Sequence, residues 1–305
     1  MIEIFKSTNY DFIKYKNVAI IFSLIVIVAS WIAVLIVGPN FAVDFTGGTL
    51  VQLKFQNSVQ KDLGKIRSIV KDLGLGSPEV KTIGQIANNE LQITVKKKAE
   101  GSTVADQIRA ALKKNYSENP FELRRQELVG PKIGSELRTN AIIAVILSMI
   151  ALLIYVGIRF SLPFAVAAIL PIFHDMVICL APMFFIRGEL SLATLAALLT
   201  IAGYSLNDTI VIFDRIRENI RNNTLRNKSF IEMINLSINQ TLSRTIITFL
   251  AMFFVVATLF FYGGEAIKDF SLPMFAGTIA GVYSTIYIAS PVLIWWNKKW
   301  PITKV

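Results

Sequence analysis

Leu192-Ala-Thr-Leu-Ala-Ala-Leu-Leu-Thr-Ile-Ala-Gly-Tyr-Ser-Leu-Asn-Asp-Thr-Ile-Val-Ile-Phe213 is long and apolar enough to cross a membrane, yet it carries an aspartate, Asp208. At about 1.5 Å per helical residue, about twenty residues cross about 30 Å of hydrocarbon. An ionised carboxylate at that depth costs about 2.5–3.5 kcal/mol on insertion scales. The neighbours show how that cost is offset. Thr200, Gly203, Tyr204, Asn207 and Asp208 recur at i, i+3, i+4, i+7 and i+8, which is one face of a helix. Such a polar stripe faces protein or water rather than lipid. The stretch reads as one span of a membrane machine with a protonatable carboxylate at its centre.

Working outward, the 305-residue chain is 53% hydrophobic, well above a soluble domain. Six segments are long and apolar enough to span, at Val18–Val37, Asn140–Ile158, Pro163–Ile186, Ser191–Phe213, Thr245–Tyr262 and Ser271–Trp296. Between the first two lies a stretch of soluble composition. The expected fold class is therefore a polytopic α-helical membrane protein with six transmembrane helices and one extracytoplasmic α+β domain. Its parts are a tail and first span (1–37), the extracytoplasmic domain (38–137), and five spans (138–305) with a cytoplasmic loop at 214–243. Lys6, Lys14 and Lys16 precede the first span, as in a signal peptide. Its apolar core is about twenty residues, longer than a 7–15 residue signal core, and no Ala-x-Ala site follows, so a retained helix is expected.

The net charge of +10 invites a nucleic-acid reading, but its distribution argues otherwise. With the N-terminus in the cytoplasm, thirteen Lys and Arg fall in the N-terminal tail, the turn at 159, the 214–244 region and the C-terminal tail. The two short loops opposite hold only Arg187 and Lys268. This is the positive-inside asymmetry. It puts both termini in the cytoplasm and 38–137 outside, with no nucleic-acid partner. Trp295, Trp296 and Trp300 sit where an interfacial belt belongs. Cys179 is alone, so no disulfide forms within the chain. No phosphate-binding G-x-x-x-x-G-K-[ST] loop occurs, and His174 is the only histidine, so neither nucleotide hydrolysis by that route nor a His/Cys metal centre is expected. The chain does not read as an enzyme.

In the outer domain, Thr49–Phe55 alternates as a half-buried strand, with Val51, Leu53 and Phe55 on one face. Gln60–Leu73 places Leu63, Ile66, Val70 and Leu73 at helical spacing and stops at Gly74 and Gly76. Glu79–Ile86 and Glu90–Lys97 read as strands joined by Asn88-Asn89. Ser102 is placed to cap a helix over Thr103–Asn115, and Phe121–Val129 closes as a last strand. The order βαββαβ predicts a small ferredoxin-like sandwich. Its charges are scattered as on a solvated surface, so a binding or lever role is expected.

Both junctions of this domain with the membrane are punctuated. Asp44-Phe45-Thr46-Gly47-Gly48 follows the first span, and paired glycines permit a turn or a close backbone approach. Gly130-Pro131-Lys132-Ile133-Gly134 precedes the second and reads as a hinge or corner. A moving domain needs such residues, and a rigid bend uses them equally. Past the fourth span, Asp214-Arg215-Ile216-Arg217-Glu218-Asn219 fits both the positive-inside rule and a plain solvated helix end. Leading into the fifth span, Ser237, Gln240, Thr241, Arg244 and Thr248 form a second polar stripe. Asp208 lies about 9 Å from the cytoplasmic end of its span, so Arg244 on the antiparallel neighbour is expected at similar depth. An Asp208–Arg244 pair would lower the cost of both charges. It is either a static tie or a proton-dependent one. His174-Asp175, mid-way along the third span, is a candidate proton relay or a packed pair. Gly277 and Gly281 read as a packing face.

In this order and spacing the motifs Asp44–Gly48, Gly130–Gly134, His174-Asp175, Gly203–Asp208, Asp214–Asn219 and Arg244-Thr245 resemble the SecF family. These are membrane subunits of the bacterial protein-export machinery within the resistance–nodulation–division superfamily. The resemblance covers nearly the whole chain. It implies pairing with SecD in the bacterial cytoplasmic membrane, beside the SecYEG channel and other Sec accessory membrane proteins. SecA pushes the preprotein from the cytoplasm, and SecD with SecF uses the proton gradient to pull it out. Protons are then the coupling ion and no other cofactor is implied. By the same resemblance Asp208, Arg244 and Asn207 belong to the proton path, with Asp175 and His174 beside it. The path runs at a pseudo-symmetric interface with SecD, and the basic tail after Met1 suggests a subunit separate from it. Two other functions fit parts of the sequence. One is a proton-coupled exporter of lipid or small molecules, for which the outer domain is small. The other is a structural scaffold, which would tolerate neutral amides at both Asp208 and Arg244.

Overall fold

Six helices among the described residues are long and apolar enough to cross a membrane, as the apolar windows require. The computed structural model describes residues 8–76, 78–83, 89–96, 103–221 and 228–302. The Ser102 cap, Asn88 and the expected strand ends at 84–86 and 97 lie outside them. The spans are α1 (Lys16–Val37), then, after the outer domain, α5 (Pro131–Arg159), α6 (Leu162–Phe185), α7 (Leu192–Arg221) and α8 (Phe230–Tyr262). The sixth is α9 (Glu265–Ser284) running through one π turn (Thr285–Ala289) into α10 (Ser290–Lys299).

The helices outrun the windows that announce them. α5 starts at Pro131 rather than Asn140, and most of the expected 214–243 loop is helix, as the ends of α7 and α8. Hydropathy marks only the stretch facing hydrocarbon, whereas backbone hydrogen bonding continues until a breaker or cap intervenes. The start of α8 has such a signal in Ser229-x-x-Glu232. Ser229 Oγ accepts from Glu232 N at 3.3 Å and Glu232 Oε2 accepts from Ser229 N at 2.7 Å, a reciprocal cap.

α6 is the central helix. Phe164, Ala168, Ile172, Asp175 and Cys179 are buried along it, and it packs on α1, α5, α7 and α9. The glycines of α9 pack as expected: a Cβ on Gly277 would meet the Ile201 side chain at 2.7 Å. α1, α5 and α8 flank this centre with apolar outer faces, which suits lipid contact.

The outer domain is built from β1 (Gly48–Phe55), α3 (Leu63–Lys71), β2 (Glu79–Ile83), β3 (Glu90–Val95), α4 (Thr103–Asn115) and β4 (Phe121–Val129). Its sheet runs in the order β2-β3-β1-β4, all neighbours antiparallel, with Leu53 opposite Leu91 and Leu123. The two helices cover one face, and Val51, Leu53, Phe55, Ile66, Leu91, Ile93, Ile108 and Leu112 fill the core between. β4 is an edge strand with Leu123 and Leu128 exposed.

The two chain crossings between the parts interlock. α2 (Val43–Thr46) follows α1 and packs on the start of α5. A Cβ on Gly134 would stand 2.7 Å from Gly47 N and 3.2 Å from Phe45 O. One on Gly47, whose φ is +71°, would stand 2.8 Å from Pro131 Cα. Gly47 and Gly134 are thus the two halves of one tightly packed joint, backbone against backbone, with no room for a Cβ at either.

Candidate functional site

Asp208 is 2% exposed, on the side of α7 that meets α8. Thr248 Oγ1 of α8 donates to its Oδ1 at 3.1 Å. Its Oδ2 is buried without a hydrogen-bond partner among the described residues. Tyr204, one turn away, donates its hydroxyl to Thr248 O at 3.3 Å. Thr200, Gly203 and Asn207 of the same stripe are exposed, and beside Gly203 there is open space. The stripe therefore lies on the rim of this chain, with Asp208 just inside it.

The expected Asp208–Arg244 ion pair does not form. Arg244 is exposed, one turn of α8 from Thr248, and its guanidinium makes no ion pair with Asp208. The physical reason is the packing of the antiparallel helices. Thr248 is the residue of α8 whose hydroxyl reaches the carboxylate, with Tyr204 bonded to its carbonyl, while Arg244, one turn back, stays exposed. Sequence reasoning placed Thr248 on the right stripe, but stripe geometry alone does not say which of two neighbours one turn apart takes the bond.

Asp175 is the contrasting carboxylate. It is fully buried, and Ser205 Oγ and Ser284 Oγ donate to its Oδ2 at 2.6 and 2.7 Å. His174 Nδ1 lies 2.9 Å from its Oδ1. The imidazole stacks on Tyr283, centroids 6.2 Å apart. Tyr283 accepts from Ser23 Oγ at 3.1 Å and donates to Ala19 O, both on α1. One cluster thus ties α1, α6, α7 and α9, ending where α9 gives way to its π turn, a feature frequent at functional sites. Ser284 carries no sequence signal beyond being a small polar residue in an apolar helix, and Ser205 none beyond its place in the Gly203–Asp208 motif.

At the other end of α7, Asp214 faces Arg217 and Arg159 at 3.4 and 3.7 Å. Arg217 Nη1 donates to Arg159 O at 3.3 Å and lies over the Phe160 ring. Arg215 pairs with Glu218 at 2.6 Å and donates to Gln240 Oε1 at 2.7 Å. Buried Asn219 donates to Ser237 Oγ and Gln240 Oε1, both at 2.8 Å. This motif fastens α7 to the α5–α6 turn and to α8. At the joint, Asp44 Oδ2 accepts from Leu192 N at 3.0 Å and so caps α7, the helix that carries Asp208. Phe45 is buried beneath it.

These features define a multi-pass membrane protein with one half-satisfied carboxylate inside its helix bundle and a close-packed joint to a small α+β domain. Residues 107–299 match the family model described as protein export membrane protein SecD/SecF, C-terminal, and residues 32–59 match the SecD/SecF GG motif. The chain belongs to the SecD/SecF family of protein-export membrane proteins. It is 40% identical to the protein translocase subunit SecF of Pseudomonas aeruginosa over 292 residues, 96% of this chain and 93% of that one. It is also 40% identical to that of Calditerrivibrio nitroreducens over 283 residues, 93% and 92% of the two chains. Its fold superposes on the crystal structure of SecDF, a translocon-associated membrane protein from Thermus thermophilus. The TM-score is 0.83 at 34% identity, covering 96% of this chain. The chain spans 39% of the length of that solved chain.

Proposed function

We propose that this chain works as a SecF-type subunit that, with a SecD-type partner beside the SecYEG channel, uses the proton gradient to complete preprotein translocation and release. The observation that carries the reading is Asp208, buried in a membrane helix with one carboxylate oxygen unpartnered among the described residues. Beside it lies an exposed polar rim of Thr200, Gly203, Asn207 and Arg244. An exposed polar rim at membrane depth needs a partner or water to cover it, and a homologous SecD subunit would complete it. In this reading Asp208 carries the proton, Arg244 and Asn207 face the partner, and the His174–Asp175 cluster braces the helices around them.

The chain lies in the bacterial inner membrane with both termini in the cytoplasm and the domain at 38–137 outside. That domain, whose strand order is the one a ferredoxin-like sandwich requires, acts as the lever. The scale is adequate. One proton crossing about 150 mV releases about 3.5 kcal/mol, enough to shift a two-state equilibrium by a few hundredfold.

The test is release of a translocated preprotein at the outer face, with and without a gradient, in wild type and in Asp208→Asn shown to assemble with its partner. The expected result is gradient-dependent release that the variant loses. Full gradient-dependent release by the variant would make Asp208 structural and overturn the reading.

A further inference from the structure

The turn between α6 and α7 carries a carboxylate that none of the chemistry above uses. Glu189 is 7% exposed and reaches from the membrane part to β2 of the outer domain. Lys81 Nζ lies 3.2 Å from Glu189 Oε1 and 2.7 Å from Glu79 Oε1. Lys81 thus brings the Glu79 and Glu189 carboxyls together at one ammonium. The turn itself is pinned to the segment between α1 and α2, where Leu190 N donates to Asn40 O at 2.7 Å and Ala42 N to Leu190 O at 2.9 Å. Glu189 is thus a side chain on a fixed backbone, reaching across the seam to the sheet. A cavity of about 370 Å³ lies along that seam, lined by Lys81, Ile83, Gln92, Met183, Glu189 and Leu272 among others. The other charged groups around it are Arg187 on the same turn and Lys268 and Asp269 at the start of α9, all lining this cavity, with Lys96 near Glu79 on the domain side.

We propose that Glu189, Lys81 and Glu79 form a proton-operated latch that docks the outer domain on the membrane part. The proposal deepens the function above and rests on its orientation, which puts the seam on the outer side, where protons enter. Burial, together with the neighbouring Glu79, pushes Glu189 up to about 7 against the opposing pull of Lys81. For Glu79, the upward push of burial is outweighed by Lys81 and the neighbouring Glu189, which hold it below its ordinary value. For Lys81, the downward push of burial is outweighed by the two acids, which hold it above its own.

The sign follows from Glu189. Its affinity for a proton is higher docked than free, so its contribution to docking is fully present at its free value of 4.5. Below that value Glu79, held under its ordinary value, acts in the opposite sense. Docking then weakens as pH rises toward about 7. Above that, two ionised acids confront one lysine in a half-buried seam. An acidic exterior closes the latch and an alkaline one opens it.

The test uses the full chain in lipid nanodiscs, with Cys179→Ala and spin labels at Lys113→Cys on α4 and Tyr262→Cys at the end of α8. Interlabel distances are measured by pulsed electron paramagnetic resonance from pH 5 to 9. One docked distance is expected at low pH, with a longer population growing around pH 7. Glu189→Gln, permanently neutral, should stay docked throughout. Lys81→Met should move the midpoint up by about one pH unit, because the cation no longer favours the ionised acid. A pH-invariant distribution in the wild type, or a Glu189→Gln variant that titrates as the wild type does, would overturn the latch. No gradient or preprotein is needed, so this result stands or falls apart from the release assay.

Discussion

Replacing Asp44 with alanine should loosen the N-terminal end of α7 without disturbing its middle. Its carboxylate accepts from Leu192 N at 3.0 Å, and that amide is one of the four at a helix start that have no partner inside the helix. The local Ser191–Thr194 bonds serve other groups: Ser191 Oγ accepts from Thr194 N at 3.3 Å, and Thr194 Oγ1 accepts from Ser191 N at 3.2 Å. Loss of a capping acceptor costs about 0.5–2 kcal/mol. The negative charge at the positive end of the helix dipole adds about 0.3–1 kcal/mol. Taking about 1.5 kcal/mol for both, the Leu192 amide of Asp44→Ala should exchange with solvent about tenfold faster. Asp44→Asn keeps an acceptor and loses only the charge term, so its acceleration should stay within about fivefold. Amides near Ile201, held by the helix itself, should exchange as in the wild type in both variants. The measurement is amide hydrogen exchange resolved to the first turn of α7. Unchanged protection of Leu192 in Asp44→Ala would refute the cap, and equal acceleration at Ile201 would show that the whole helix had been unsettled instead.

Gly134→Ala should destabilise the chain by about 1–3 kcal/mol, because the new methyl meets backbone at Gly47 and Phe45 that cannot step aside. Gly64→Ala, in helical backbone with open space around it, should stabilise the outer domain by about 0.5–1 kcal/mol; thermal unfolding of both in nanodiscs checks the pair. Ser205→Ala and Ser284→Ala each remove one donor from buried Asp175 and should each cost about 1–3 kcal/mol. Combined, they should depart from additivity, because they share one carboxylate oxygen, and a double-mutant cycle on unfolding temperature reads the coupling.

The spans and the outer domain's elements were legible because their signals are periodic. Val51, Leu53 and Phe55 alternate as buried residues of β1, and Ile66 and Val70 face the core at helical spacing, as their positions in the chain require. Helix ends were not, since hydropathy stops at Phe213 whereas α7 continues to Arg221, held past that point by buried Ile216 and by the polar ties of Arg217 and Asn219. The Ser229 and Glu232 cap was present as a pattern and marks the start of α8 better than any apolar run. The site divided in the same way. The stripe through Asp208 and the one through Thr248 are period-3.6 features of single helices, so both were visible. The choice between Thr248 and Arg244 as partner depends on how two helices pack. The contacts of Asp44 with Leu192, and of Glu189 with Lys81, join residues more than a hundred positions apart, and no local pattern announces them.

The two membrane carboxylates differ in how completely they are satisfied, and that difference argues for different duties. Asp175 has both oxygens engaged by Ser205, Ser284 and His174 and sits on three helices' worth of partners. Any change there breaks several bonds at once, which suits a brace. Asp208 has one donor, Thr248, and one bare oxygen beside an exposed polar face. It can exchange its partner for a proton, a water or a group from a second subunit at the cost of a single bond. Its helix is held at one end by the Asp44 cap and at the other by the Asp214–Asn219 fastening. A rearrangement at Asp208 would therefore be expected to move α7 against the joint rather than be dissipated in a loose segment. On the proposed reading the joint, packed backbone to backbone through Gly47 and Gly134, would pass such motion to the sheet, and the proposed Glu189 latch would stand at the seam where it arrives.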